Sequence, residues 1–104
     1  LSGSLYRNGP GLYFNTGIIR GNHYHPEFVE YFLVIEGVGT MVYKDERGRL
    51  DEIVHMSKGT CVRTPAGEAH AFQAITPVTA MAFLTKPWNE CKIPIVRLDV
   101  IQKS

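Results

Sequence analysis

Cysteine is scarce in this chain: Cys61 and Cys91 are the whole supply among 104 residues. Two thiols permit at most one bridge and exclude the disulfide framework of small secreted scaffolds, so free thiols in the reducing cytoplasm are the expectation. An excess of charge of one sign is also lacking. Eleven basic residues against ten acidic ones leave a net charge of +1. That balance supplies neither the basic footprint of a nucleic-acid binder nor a polybasic membrane surface. No apolar run approaches the roughly 20 residues that a membrane span needs. There is no basic and apolar leader, and the opening Leu1-Ser2-Gly3-Ser4 reads as a trimmed or processed end. Internal repeats, low-complexity tracts and linkers are absent, and no stretch combines a helical period with caps.

What the chain does have is punctuation, with ten glycines and six prolines. The segments between them are short and rich in β-branched and aromatic residues. Leu12–Phe14, Gly17–Arg20, Glu30–Ile35, Thr40–Tyr43, Leu50–His55, Thr60–Thr64, His70–Ala74, Val78–Leu84 and Ile95–Ile101 are the expected strands. Asp45-Glu46-Arg47-Gly48 makes a hairpin tip, and Ser57-Lys58-Gly59 and Pro65-Ala66-Gly67 make further turns. Nine short strands with regular turns predict an all-β barrel or jelly roll. At this length the chain is one domain, 1–104, with a core over about 12–84 and a C-terminal strand or arm over 86–104. Strand Glu30–Ile35 is apolar on both faces: Phe32 and Val34 point one way, and Tyr31, Leu33 and Ile35 the other. Both faces are therefore expected to be covered.

The chemistry is concentrated in two stretches. In Gly21-Asn22-His23-Tyr24-His25-Pro26-Glu27-Phe28-Val29-Glu30 the two histidines stand two apart, so an extended strand sends both imidazoles to one face. Glu30 follows a four-residue turn and opens a strand that can fold back on the first. Further on, Gly59-Thr60-Cys61-Val62-Arg63-Thr64-Pro65-Ala66-Gly67-Glu68-Ala69-His70 places a tight turn just before a third histidine.

These two stretches resemble the motifs of the cupin superfamily. The first motif is His-x-His, four residues, Glu, six residues, Gly, and it runs here from His23 to Gly37; the leading glycine, Gly21, stands closer than usual. The second is Gly, five residues, Pro-x-Gly, two residues, His, and it runs from Gly59 to His70 without a gap. The family often has Asn four residues after that histidine, where this chain has Ala74. The resemblance implies a double-stranded β-helix, or jelly-roll barrel, with His23, His25, Glu30 and His70 around one divalent transition-metal ion. Such a donor set suits Fe, Mn, Ni, Co or Zn and makes a poor cage for calcium or magnesium. Burying the four without a cation would cost several kcal/mol.

Other residues are weaker candidates. His55 reads as a core histidine away from the metal. Arg63 is a possible anchor for an anionic substrate, more simply a surface arginine. Tyr43, Glu36 and Gln73 are possible pocket residues, Cys61 a small buried hydrophobe, Trp88 a cap on one end of the barrel. Tyr24 should point away from the ligands. The implied function is a metal-dependent enzyme of isomerase, dioxygenase or decarboxylase type on a small oxygen-rich molecule. The alternative is a non-catalytic binding or sensing module, and fold alone does not separate the two. Arg20-Gly21-Asn22-His23-Tyr24-His25 with Glu30–Gly37 also resembles the cupin domains of sugar-nucleotide-processing enzymes, which implies a sugar-like ligand. Finally, the outward Tyr31, Leu33 and Ile35, with a sticky tail of Ile93, Ile95, Val96, Leu98, Val100 and Ile101, predict a homodimer.

Overall fold

The computed structural model describes residues 3–45 and 47–101. Glu46 at the expected hairpin tip and the last three residues of the expected arm lie outside the described residues. The strands are β1 (Tyr6–Arg7), β2 (Leu12–Phe14), β3 (Ile19–Tyr24), β4 (Glu30–Glu36), β5 (Gly39–Lys44), β6 (Leu50–Met56), β7 (Cys61–Thr64), β8 (Ala69–Ala74), β9 (Val78–Leu84) and β10 (Val96–Arg97). The sole helical element among the described residues is a 3-10 turn at Trp88–Glu90. The strands pair into two antiparallel sheets of five. One has the order β1-β9-β4-β7, with β2 also on β9; the other runs β10-β3-β8-β5-β6. Neighbours in a sheet are mostly distant in sequence, so the chain crosses repeatedly between the sheets, as the expected jelly roll requires.

The interior follows from alternation. Phe32 and Val34 on β4, Met41 and Tyr43 on β5, and Val78, Ala80 and Ala82 on β9 are buried, while the residues between them are half-buried. Large and small residues meet across the strands: Phe32 stands opposite Ala82 and Val34 opposite Ala80. The space so left is filled by the rings of Phe14, Phe32 and Phe72, whose centroids lie 4.9–6.4 Å apart. Each buried ring contributes roughly 1.5–3 kcal/mol. Gly37 is required where β4 turns towards β5. Its φ is +96°, and a Cβ would run into the carbonyl oxygen of Pro77.

Several boundaries differ from expectation for physical reasons. The segment expected as Gly17–Arg20 is a strand only from Ile19, because Gly17 has φ +83° and belongs to the turn; the strand then continues to Tyr24. The C-terminal strand expected over Ile95–Ile101 pairs only at Val96 and Arg97, on the free edge of β3. Beyond it, Val100 is buried against Ala69 and Ala71 on the outside of that sheet, with Ile19, Tyr24, Val42 and Ile101 around it. The tail thus covers the outside of its own second sheet. It does not cover the outer face of β4, where Tyr31, Leu33 and Ile35 stay half-buried, against the expectation of two covered faces.

Asn22 fastens this arm. It sits in a bulge between Gly21 and His23, with φ +58° and 1% exposure. Its side-chain Oδ1 accepts the backbone N–H of Val100 at 2.9 Å and of Ile101 at 2.8 Å, and its carbonyl accepts that of Leu98 at 2.9 Å.

Candidate metal centre

His23 lies on β3 and pairs across the ladder with His70 on β8, so their side chains share a face. His25 follows one residue beyond β3. Glu30 opens β4 in the facing sheet. The four therefore meet between the sheets. The imidazole centroids are 4.6 Å apart for His23–His25, 4.8 Å for His23–His70 and 5.2 Å for His25–His70. One nitrogen from each ring falls within 4.8 Å of the others. The Glu30 carboxylate bridges two rings, with Oε2 3.5 Å from His25 Nε2 and Oε1 3.5 Å from His70 Nε2. His25, His70 and Glu30 are buried, and His23 is half-buried.

Backbone contacts fix which nitrogen carries each proton. His25 Nδ1 lies 3.0 Å from the Pro94 carbonyl, and His70 Nδ1 lies 3.1 Å from the Glu68 carbonyl. A carbonyl only accepts, so both Nδ1 atoms donate, and in the neutral rings Nε2 is a lone pair aimed at the centre. His25 Nε2 is buried and has no hydrogen-bond partner. It faces the Glu30 carboxylate, itself an acceptor. Two acceptors in contact inside a protein need a cation or a proton between them. Three imidazoles, a carboxylate and this orphaned lone pair fit a divalent transition-metal ion.

The electrostatics agree. Burial lowers the His23 pKa to about 4, helped by the neighbouring His70 and His25 and opposed by Glu30, so this ring is neutral at pH 7. Burial alone would raise the Glu30 carboxyl; in metal-free protein, hydrogen bonds from His25 and His70, which need a proton at the facing nitrogens, more than offset that and hold it at about 2, so the carboxylate calls for positive charge at the centre. The donor set at neutral pH is one anion with His23 uncharged.

The site opens into a pocket of about 370 Å³ whose lining includes Phe14, Phe72, Ile95, Trp88, Arg20 and Arg97. A larger groove of about 890 Å³, between Lys44, Arg49 and Glu68, lies elsewhere and contains none of the four donors.

The remaining candidates separate clearly. Trp88 lies 6.2 Å from the His25 ring and lines the pocket, as a cap would. Tyr24 packs outward with Val100. Arg63 is exposed and pairs with Tyr31, on the outer face. His55 is exposed on β6, not a core residue. Cys61 is exposed rather than buried, and desolvation pushes its thiol pKa up, away from thiolate chemistry. Tyr43 is buried in the core with its hydroxyl 3.0 Å from Thr64 Oγ1, and burial raises it to about 12. Glu36 is exposed beside Lys58, and Gln73 sits on the outer side of β8. Ala74 is part of the core.

Arg20 and Arg97 were not legible as pocket residues from alternation alone. Simple alternation would put Arg20 on the face opposite His23. The bulge at Asn22 shifts the phase, so Arg20 pairs with the buried Phe72 and faces inward too. The signal for it was Gly21-Asn22, a pair prone to positive φ. Phe28, stacked on His25 at a centroid distance of 4.5 Å, was likewise unforeseen.

Residues 13–85 match the family described as Cupin domain. Among solved structures, the chain is similar to the capsular polysaccharide assembling protein CapF from Staphylococcus aureus, at 22% identity and a TM-score of 0.72 over 95% of this chain and 33% of that one. It is also similar to oxalate decarboxylase from Bacillus subtilis, at 22% identity and a TM-score of 0.73 over 85% of this chain and 22% of that one. For the Lactobacillus farciminis oxalate decarboxylase formate complex the values are 16%, 0.69, 85% and 25%. The chain thus spans about a third or less of these structures. A comparison with curated proteins finds no match.

Proposed function

The chain belongs to the cupin-domain family, and on that premise we propose that it is a metal-dependent enzyme acting on a small, oxygen-rich molecule. His23, His25, Glu30 and His70 would hold one divalent ion of Fe, Mn, Ni, Co or Zn. The observation that carries this reading is the buried, partnerless His25 Nε2 facing the Glu30 carboxylate. When bound, the ion supplies Lewis acidity or a redox centre to a substrate oxygen.

The residues around it have definable tasks. Pro94 and Glu68 carbonyls orient two rings through their Nδ1–H groups. Phe28 packs on the His25 ring, and Trp88 closes the pocket beside it, which limits water at the donors. Because Pro94 belongs to the C-terminal arm, we take the barrel and arm as one functional unit, a single cupin domain. The likeness to a capsular polysaccharide assembling protein supports a sugar-like substrate, and that to oxalate decarboxylase supports a small acid with adjacent oxygens. Titration of chelator-treated protein with Co(II) tests the centre: visible absorption saturating at one equivalent supports it, and absorption unchanged by His70→Ala and Glu30→Gln refutes it.

Two further readings belong with this one. The free thiols of Cys61 and Cys91 support a reducing compartment, the cytoplasm. The outer face of β4 and β9 carries half-buried Tyr31, Leu33, Ile35, Met81 and Phe83, with Tyr13 beside them at 62% exposure. Across β2, β9 and β4 this face spans roughly 23 by 14 Å, the size of the largest apolar patch on a typical monomer, which is often a contact surface. A homodimer pairing these faces would bury it.

A further inference from the structure

The inner side of β3 carries more than a metal ligand. Arg20 is paired with Phe72 and His23 with His70, and both partners are buried in the interior, so Arg20 and His23 project the same way. On the other edge of β3, β10 sets Arg97 directly opposite His23. Cross-strand partners share a face, with Cβ atoms about 5 Å apart. The Arg97 side chain therefore leaves the sheet on the side of the donors, and both arginines line the 370 Å³ pocket with His23, His25, Glu30 and His70.

Neither guanidinium is neutralised. Among the described residues, no carboxylate lies within 4 Å of Arg20 or Arg97, and the one carboxylate lining the pocket, Glu30, is engaged by two imidazoles. Both residues are exposed at the mouth of the pocket, as groups that capture an anion from water must be. Arg20 is further restrained by lying over the Phe14 ring at 5.8 Å. The segment bearing Arg97 is held in place: the Asn22 side chain and backbone accept three N–H groups just beyond it, and Pro94 just before it is tied to His25. The remaining walls are mostly apolar, among them Leu12, Phe14, Met41 and Phe72.

We propose that Arg97, assisted by Arg20, is the anchor for a substrate carboxylate, and that the substrate is a small organic acid of about three to five carbons whose second oxygen function reaches the donor cluster. The scale is set by the pocket of about 370 Å³ that both arginines and the cluster share. Arginine suits the task because its planar fork binds a carboxylate through two parallel hydrogen bonds. The second half of the proposal rests on the metal reading given above; the anion site does not.

The test uses calorimetric titration of wild type, Arg97→Gln, Arg97→Lys and Arg20→Gln with malonate, succinate, glutarate, succinamate and inorganic phosphate. Each protein is run metal-loaded and chelator-treated, with metal content measured in every sample and thermal melts confirming the fold. At least one dicarboxylate should bind wild type, at least about tenfold more weakly in Arg97→Gln, with partial recovery in Arg97→Lys. Succinamate and phosphate should bind more weakly than the best dicarboxylate. No millimolar affinity for any dicarboxylate overturns the proposal, as does an Arg97→Gln affinity equal to wild type, or phosphate binding preferred over all the acids. Binding that depends on Arg97 in protein that takes up no metal keeps the anion site and removes the metal reading instead.

Discussion

Replacing Asn22 by alanine tests how the C-terminal arm is held. The side chain is 1% exposed, and its Oδ1 accepts two backbone N–H groups, from Val100 at 2.9 Å and Ile101 at 2.8 Å. Alanine would leave both donors without their acceptor, at about 1–3 kcal/mol for each one that stays buried. The backbone adds a second term, because φ is +58° at this position, and a residue other than Gly, Asn or Asp costs roughly 1–2 kcal/mol there. With both donors left buried these predict a loss of about 3–8 kcal/mol, a large share of the roughly 5–15 kcal/mol a domain possesses. Asn22→Gly separates the terms, since it relieves the backbone and still deletes the acceptor; it should recover about 1–2 kcal/mol relative to alanine. Urea denaturation measures the totals. Amide exchange at Leu98, Val100 and Ile101 reports whether the arm opens first. An Asn22→Ala variant within about 1 kcal/mol of wild type, with those amides still protected, would refute the reasoning.

Other expectations follow from the same contacts. In metal-free protein the folded pKa values of His23 and Glu30, about 4 and about 2, lie below their ordinary 6.5 and 4.5. The unfolded chain then binds more protons, so stability should fall as pH drops from about 6.5 to 4 through His23 and from 4.5 to 2 through Glu30; melts that are flat across both windows contradict this. Gly37→Ala should destabilise severely, because its Cβ meets the Pro77 carbonyl and the backbone has positive φ; a melt near wild type would show that the turn can move. Leu33→Asp should convert a species of twice 11.7 kDa into one of 11.7 kDa by light scattering. A wild type that is monomeric at every concentration removes the dimer.

The fold was readable because strand signals and turn signals coincide. Val78–Leu84 is a nearly continuous apolar run between two turns and forms β9 within the same bounds. The cluster was readable because its spacing is a property of the sequence, and the structure brings His23, His25, Glu30 and His70 together. What was missed depends on events that alternation does not record. A single bulge at Asn22 turns Arg20 inward, and an otherwise irregular tail sets Arg97 against β3 through only two paired residues. Arg63 looked equally suitable by composition, yet its register with Tyr31 puts it outside. His55 and Cys61 were expected inside because they sit on apolar strands. Both are exposed: β6 and β7 are edge strands, where outward positions meet solvent.

The central claim is that one transition-metal ion is held by three imidazoles and one carboxylate. Elemental analysis of protein purified without a metal-affinity tag tests it most directly, on wild type and on His70→Ala and Glu30→Gln variants shown to be folded. The account predicts about one equivalent of Fe, Mn, Ni, Co or Zn per chain in wild type and a small fraction of that in either variant. A wild type that stays metal-free after incubation with each of the five ions, or variants as fully loaded as wild type, would contradict it.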